Sequence, residues 1–418
     1  MGLIAAARRF AFSRPAAFPV IGRGGSDLWH GLVLDGTLVP ACAPHNADLL
    51  LLCGAVPEEW GLDLLALFET FALPRLAVWV PGTDREGEPA GLPVVNIENT
   101  DWAGVRSALL DPASLAAEPL LPDRPPCPWR GLGEHGQGGE GMMGGVPYGR
   151  AMAMTADDTD DLALDDVPTV LGPFFPGLPT GLRVELRLQG QRVRSCEAVD
   201  NTFPVTGTMQ EPSPPTVAAL ERLRIRNHLD WAGDFLRLLG QEAIGLHLLR
   251  AAQEDWSISD IGRMGRLFRL AEAGGLKDLL AGTGRIKRDT ALRLGLRGPD
   301  ARASGVAVDG RSRDEAYAAY SFQPSCAGSG DAWARWTVRC EECLQSLALI
   351  DAVGDRTLAS GAACEMPRGA YLADGVRPHA PSRANMAAIG EMLPGLTWFG
   401  AVAALASLDL DMAEAAGG

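Results

Sequence analysis

Cys340 and Cys343 form a C-x-x-C pair, and two thiols at that spacing can begin a zinc or iron site. Completing such a site takes a second pair or two histidines, and none is placed for it in the sequence. Trp333, Trp336, Cys340, Cys343, Leu347 and Ile350 recur at steps of three and four, an apolar helical stripe. Both sulfurs fall on that stripe, so the expectation is a pair of core cysteines and no metal. His228 stands beside Asp230 in a stretch that also holds Arg222, Arg224 and Arg226. It reads as a structural histidine, with proton handling as the alternative. His135, Met142, Met143, Met152 and Met154 are soft-metal donors, but the glycine-rich chain around them fixes no geometry. Gly282-Thr283-Gly284 lacks the strand–loop–helix setting and the Lys-Ser/Thr of a phosphate loop. No Ser-His-Asp or nucleophile-elbow pattern stands out.

The elements that must position these groups fall into two kinds. Residues 1–115 alternate strand and helix. Ala47 to Gly54 is a continuous apolar run ended by glycine, as in a buried parallel strand. An amphipathic stretch follows from Trp60 to Phe71. Arg75 to Gly82 and Leu92 to Ile97 read as further strands. Strand, helix and strand at this spacing predict a parallel βαβ crossover and a small α/β layer domain. Residues 116–168 change character: Pro122 to Pro128 is proline-rich, Gly131 to Gly145 glycine-rich, and Asp157 to Asp161 acidic. That composition predicts a linker. Leu182 to Gln189 alternates apolar and polar residues, Gly190-Gln191 supplies a turn, and Arg192 to Ala198 returns, predicting a β-hairpin. Residues 216–418 read as mainly helical, with Leu220, Leu223, Trp231, Phe235 and Leu238 close to one helical face. Arg297 to Arg313 reads as an irregular segment between helices.

The chain has 418 residues, 47% of them hydrophobic and 21% charged, enough apolar material for more than one core. Its formal net charge of -15 argues against nonspecific nucleic-acid binding, which draws on excess Lys and Arg. No run approaches the ~18–20 apolar residues of a membrane span. Arginines interrupt the apolar part of the N-terminus, unlike a secretory signal, so a cytoplasmic location is expected. Eight cysteines in a chain of this length are no disulfide framework.

Arg285 to Ile350 and the residues after it carry an ordered set of motifs. Gly298-Pro299, Arg302, Ser304-Gly305, Asp309, Arg311, Tyr317, Tyr320, Gly330-Asp331, Arg339, Glu341-Glu342 and Gln345-Ser346 come first. Glu365-Met366-Pro367-Arg368-Gly369, then Arg377 with Ala380-Pro381-Ser382, then Ser407-Leu408-Asp409 through Glu414 follow. The set resembles the large catalytic subunit of respiratory complex I (NADH–quinone oxidoreductase) and its relatives, the membrane-bound nickel–iron hydrogenases. Gly172-Pro173-Phe174-Phe175-Pro176 followed by Gly181-Leu182-Arg183 is similar to the family's G-P-Q-H-P-A-T-H-G-V-L-R hairpin. Pro44-His45-Asn46-Ala47-Asp48 through Pro81-Gly82 resembles the small iron–sulfur subunit of the same complexes.

The resemblance implies an α+β chain: a flavodoxin-like, small-subunit-like domain over 1–115, a linker over 116–168, and a large-subunit-like domain over 169–418. The departures decide the expected function. In the family's small subunit the cluster sits on cysteines, two of them adjacent, and no adjacent pair occurs here; the matching strand end is Pro81-Gly82-Thr83-Asp84. The family's quinone-proximal histidine corresponds to Phe175, and its supporting aspartate to Leu238. The stretch for the quinone-headgroup tyrosine is shortened near Glu211 to Pro215. Nickel–iron chemistry needs C-x-x-C pairs at both ends of the large subunit, and residues 401–418 hold no cysteine. The expectation is therefore no iron–sulfur, nickel or other metal, with quinone as the one cofactor left open. The matched Arg302, Asp309, Arg311, Arg339, Glu341 and Glu342 would form a charge network or the remnant of a proton relay. The chain would act as a structural or coupling subunit on integral-membrane partners of a complex I-like or antiporter-like assembly, peripheral on the cytoplasmic face of the cell membrane. The alternative is an active quinone-binding oxidoreductase subunit with an altered pocket and a cluster supplied by another subunit.

Overall fold

The computed structural model describes residues 10, 12–82, 87, 89, 91–96, 102–110, 154–157, 163–205, 216–320, 322–353, 356–357, 364–369, 371–372 and 381–416. The chain divides into two units, one over residues 1–168 with 188–190 and the other over 169–187 with 191–418.

The first unit is built on five parallel strands: β1 (Ala16–Ile21), β2 (Val39–Pro40), β3 (Leu49–Cys53), β4 (Leu76–Val80) and β5 (Val94–Asn96). Their order, β2-β1-β3-β4-β5, is the flavodoxin-like doubly wound order. Every residue of β3 is buried, which explains its unbroken Leu-Leu-Leu-Leu-Cys composition. Ala17 of β1 aligns with Leu49, and Leu49 in turn with Leu76 of β4. Helices α1 (Ser26–Asp35), α2 (Gly61–Glu69) and α3 (Trp102–Leu110) connect and flank the strands. The α/β expectation holds. Strand β1, between β2 and β3, is hard to read in the sequence because Pro19 and the preceding arginines break its apolar signal.

Residues 116–153 and 158–162, the larger part of the expected linker, lie outside the described residues. The remainder departs from that expectation. Met154–Asp157 (β6) and Ala163–Leu171 (β7) pair antiparallel, with Met154 opposite Asp166. The acidic run therefore begins inside a strand.

β8 (Leu182–Gln189), most of which belongs to the second unit, and β9 (Arg192–Asn201) are neighbours in a sheet as the alternating pattern predicts. The core of the second unit is helical: α4 (Val217–Leu238), α5 (Glu242–Ala252), α6 (Ile261–Ala271), α7 (Arg288–Leu294), α8 (Gly298–Ala303), α9 (Ala332–Val353) and α10 (Trp398–Ala406). Thr216 caps α4 by accepting the Ala219 amide at 3.1 Å. A Cβ on Gly245 would lie 2.6 Å from the Gly233 carbonyl, so α4 and α5 touch through their backbones there. Trp336 of α9 is fully buried and meets Trp231 of α4 at 5.9 Å. The stripe on α9 is core as expected from Trp336 to Ile350, Cys340 and Cys343 included, while Trp333 is half-buried. The face assigned to α4 needs one correction, since Leu223 is 38% exposed. A larger correction concerns 297–313. Instead of an irregular connector, it holds the buried helix α8 and a short helical turn over Gly310–Arg313.

Candidate functional site

Two long helices and the 297–313 segment bring charge into the middle of the second unit. Glu221, Arg224 and His228 fall at i, i+3 and i+7 on α4, which places them on one buried face. Glu342 and Ser346 fall at i and i+4 on α9. Arg302 comes from the end of α8, Asp309 and Arg311 from the turn after it, and Glu365 from the two-residue strand Cys364–Glu365.

These side chains form one continuous network. Glu342 accepts from Arg302 Nε at 2.7 Å and faces His228 Nε2 at 3.0 Å. Arg302 Nη1 donates to Glu365 at 2.7 Å and lies 3.2 Å from Asp309. Asp309 takes both Nε and Nη2 of Arg311, at 3.0 and 2.7 Å, a bidentate pair. Arg311 Nη1 reaches Glu221 at 3.3 Å, and its guanidinium stacks 4.4 Å from the Phe322 ring centroid. Glu221 also accepts from the Tyr317 hydroxyl at 2.6 Å and the Ser346 hydroxyl at 2.5 Å. Arg224 lies 3.3 Å from Glu221 and donates to the Glu365 carbonyl at 2.6 Å.

Burial works against ionising these acids, and the arginines outweigh it. Glu342 is held well below the usual carboxylate range by Arg302, His228 and Arg311, against its own desolvation. Glu221 and Asp309 are lowered in the same way by neighbouring guanidinium groups. His228 goes the other way. Burial pushes it down to about 4 although Glu342 favours its charged form. At neutral pH it is thus an uncharged imidazole beside an ionised carboxylate, so the Nε2–H tautomer follows from the contact with Glu342. Its Nδ1 is buried with no hydrogen-bond partner among the described residues.

Of the six charged residues expected to act together, Arg302, Asp309, Arg311 and Glu342 do. Arg339 belongs to a separate buried pair: Nη2 donates to Asp300 at 3.1 Å, and the guanidinium lies 4.5 Å from the Trp231 ring centroid. Glu341 points away from both; it is exposed and accepts from Ser325. Glu221, Arg224 and His228 had not been assigned to the network. Their i, i+3, i+7 spacing was the available signal, masked by the apolar stripe on the same helix.

Phe175 and Leu238 both lie at the turn that runs from Phe175 to Leu178. The ring of Phe175 meets Trp398 edge-on at 6.4 Å. Leu238 packs on the turn that follows Phe175, where a Cβ on Gly177 would lie 2.7 Å from its Cδ1. At this place aromatic and aliphatic groups meet, and neither of the two side chains can donate to a quinone oxygen. Glu211 to Pro215 lies outside the described residues.

In the first unit, doubly wound sheets bind ligands where the strand order reverses, between β1 and β3. Here the two loops at that point are zipped together. The Gly22 amide donates to the Cys53 carbonyl at 2.8 Å, and Arg23 and Ala55 exchange bonds of 2.8 and 3.0 Å. A Cβ on Gly25 would lie 2.1 Å from the Cys53 carbonyl oxygen. Gly82, at the end of β4, sits beside Gly54, while Thr83 and Asp84 lie outside the described residues. The buried Cys53 thiol is pushed up to about 12 by desolvation, the opposite of what a thiolate ligand needs. Among the described residues no cysteine belongs to a group of three or more metal-ligating side chains.

Comparison with known proteins agrees with the second unit. Residues 272–374 match the family described as respiratory-chain NADH dehydrogenase, 49 Kd subunit. An NADH-quinone oxidoreductase subunit of Clostridium beijerinckii is 32% identical over 163 residues, covering 32% of this chain and 44% of that protein. Its counterpart in Rhizobium etli, also an NADH-quinone oxidoreductase subunit, is 38% identical over 101 residues, 23% of this chain and 25% of its own. An NAD(P)H-quinone oxidoreductase subunit of Prochlorococcus marinus is 29% identical over 174 residues, with shares of 32% and 44%. The chain thus spans less than half the length of these curated relatives. Among solved structures, a chain of the membrane-bound sulfane sulfur reductase, an archaeal respiratory membrane complex, aligns with a TM-score of 0.47 at 18% identity, covering 60% of this chain and 98% of that one.

Proposed function

From the premise that its second unit carries the domain of the complex I large-subunit family, we propose that this protein is a structural or coupling subunit of a complex I-like membrane assembly. It would hold that place without iron–sulfur, nickel or standard quinone-reducing chemistry of its own. The observation that carries the reading is the contrast between two parts of one unit. In the charge network every acid faces a guanidinium, while Phe175 packs on Trp398 and Leu238 on the turn at Gly177, where the family resemblance puts a histidine and an aspartate. Protonating a quinone headgroup takes a positioned acid within hydrogen-bond reach, and neither side chain supplies one. The zipped loops and raised thiol of the first unit support a lost cluster in a degenerate small-subunit-like domain.

The partners of this reading are integral-membrane subunits, with the protein peripheral on the cytoplasmic face. No helix among the described residues is long and apolar enough to cross a membrane. The test is purification of the full chain from membranes of cells that make it, with iron and acid-labile sulfide measured per chain. Co-purification with multispanning subunits and negligible iron is the expected result. Stoichiometric iron and sulfide on this chain would overturn the reading. So would quinone-dependent turnover that disappears when bulkier side chains are placed at Phe175 and Leu238.

A further inference from the structure

The chain is acidic overall, but its charge is unevenly spread. Residues 261–297 hold nine Lys and Arg against three Asp and Glu, a net of +6 within a total of -15. The helix α6 concentrates this asymmetry, with three arginines and no acid in IGRMGRLFRLA. Met264, Phe268 and Ala271 form its buried side. At 100° per residue, the opposite side is Gly262, Arg263, Arg266, Arg269 and Leu270. Arg263 is engaged, paired with Glu254 and stacked 5.0 Å from the Trp256 ring centroid. Arg266 and Arg269 are exposed and have no acidic partner among the described residues. Leu270, one turn beyond Arg266 on the same side of the helix, is 59% exposed.

The two glycines shape this face. A Cβ on Gly262 would lie 3.7 Å from Arg266 Nη1, and one on Gly265 3.4 Å from Arg269 Nη1. Both guanidinium groups therefore fold back along the helix over a residue that has no side chain. The result is a low, flat basic strip with one leucine standing in it. Arg266 and Arg269 offer cationic donors that anionic headgroups attract, and Leu270 offers a short apolar anchor beside them.

We propose that the outer face of α6 docks on the anionic headgroups of a lipid bilayer, with Arg266 and Arg269 on the phosphates and Leu270 at the acyl boundary. The inference stands apart from the assembly reading, because it requires lipid and no protein partner. The experiment is co-sedimentation of the full chain with vesicles of phosphatidylglycerol and phosphatidylcholine, against phosphatidylcholine alone. Binding to the anionic vesicles only, weakening as salt rises, is the expected result. Each basic side chain near such a surface changes binding by roughly fivefold. The double variant R266Q/R269Q should therefore bind about 25-fold more weakly, with an unchanged melting temperature. Should that variant fold poorly, L270N and the salt titration of the unaltered chain read the same contact. A chain that ignores anionic vesicles overturns the proposal and leaves an acidic protein surface as the partner for this face. A folded R266Q/R269Q that binds like the unaltered chain overturns it as well.

Discussion

Acidification from pH 7 to pH 5 probes the centre of the charge network through a single group. His228 is uncharged in the folded protein because burial lowers it to about 4, whereas an unfolded chain leaves histidine near its ordinary ~6.5. A group whose folded pKa is depressed contributes stability that is whole above the unfolded value and is lost as pH falls toward the folded one. The window is thus pH 6.5 down to 4. At pH 5 the unfolded chain has taken up nearly a full proton at this site and the folded chain almost none. Linkage converts that difference into roughly 2 kcal/mol of lost stability relative to pH 7. Glu221, Glu342 and Asp309, each lowered by arginines, stay ionised through the window. Denaturant midpoints at the two pH values would be compared between the unaltered protein and His228→Gln, whose amide can still donate to Glu342. Every other titration is common to both proteins and cancels. The variant should be less stable at pH 7 and should lose about 2 kcal/mol less on acidification. Equal pH dependence in the two proteins would show that His228 is not held neutral by burial, and the account of the network's centre would be wrong.

Three further outcomes follow from the same geometry. Arg302→Met strands Glu342, Asp309 and Glu365 in the interior and should cost about 3–5 kcal/mol by urea denaturation. The double variant with Glu365→Met should recover part of that, and strict additivity would refute the direct pairing. Gly177→Ala forces a Cβ into Leu238 at a φ of 79° and should cost roughly 1–3 kcal/mol. Adding Leu238→Ala should relieve the clash and leave only the backbone strain. Alkylation of the native protein should reach the exposed Cys42 and Cys326 first, while Cys53, Cys340 and Cys343 react only as the structure opens. Rapid native labelling of Cys340 or Cys343 would contradict their place in the core.

Much of the fold was legible because period and composition agree with the elements. Leu49 to Cys53 could hardly be other than a buried strand, and Leu182 to Gln189 alternates as a half-buried strand must. The interior of the second unit was harder to read. A fully buried arginine looks, in sequence, like any surface arginine. Arg302 and Arg311 therefore suggest an irregular segment by composition alone, although both are buried. Only the family motifs pointed at Arg302 and Arg311, and motif matching could not separate Glu342, which is in the network, from its neighbour Glu341, which is not. Helical phase makes that separation: adjacent residues lie about 100° apart, so one faces α4 and the other solvent.

On the proposed reading, the same physics accounts for motif residues that stand in a charge network while positions 175 and 238 are apolar. Removing one member of a buried, hydrogen-bonded ion network leaves its partners charged and unpaired, at a cost of about 3–5 kcal/mol, a large share of a protein's whole stability. Each single step out of the network is thus strongly opposed by folding, whatever the network once did. A histidine-to-phenylalanine or aspartate-to-leucine change at a half-exposed position strands nothing and adds apolar contact, as Phe175 on Trp398 and Leu238 on Gly177 show. Loss of chemistry should then appear first at such positions and last in the interlocked charges. On that reading Arg302, Asp309, Arg311 and Glu342 bear on stability, and positions 175 and 238 bear on catalysis.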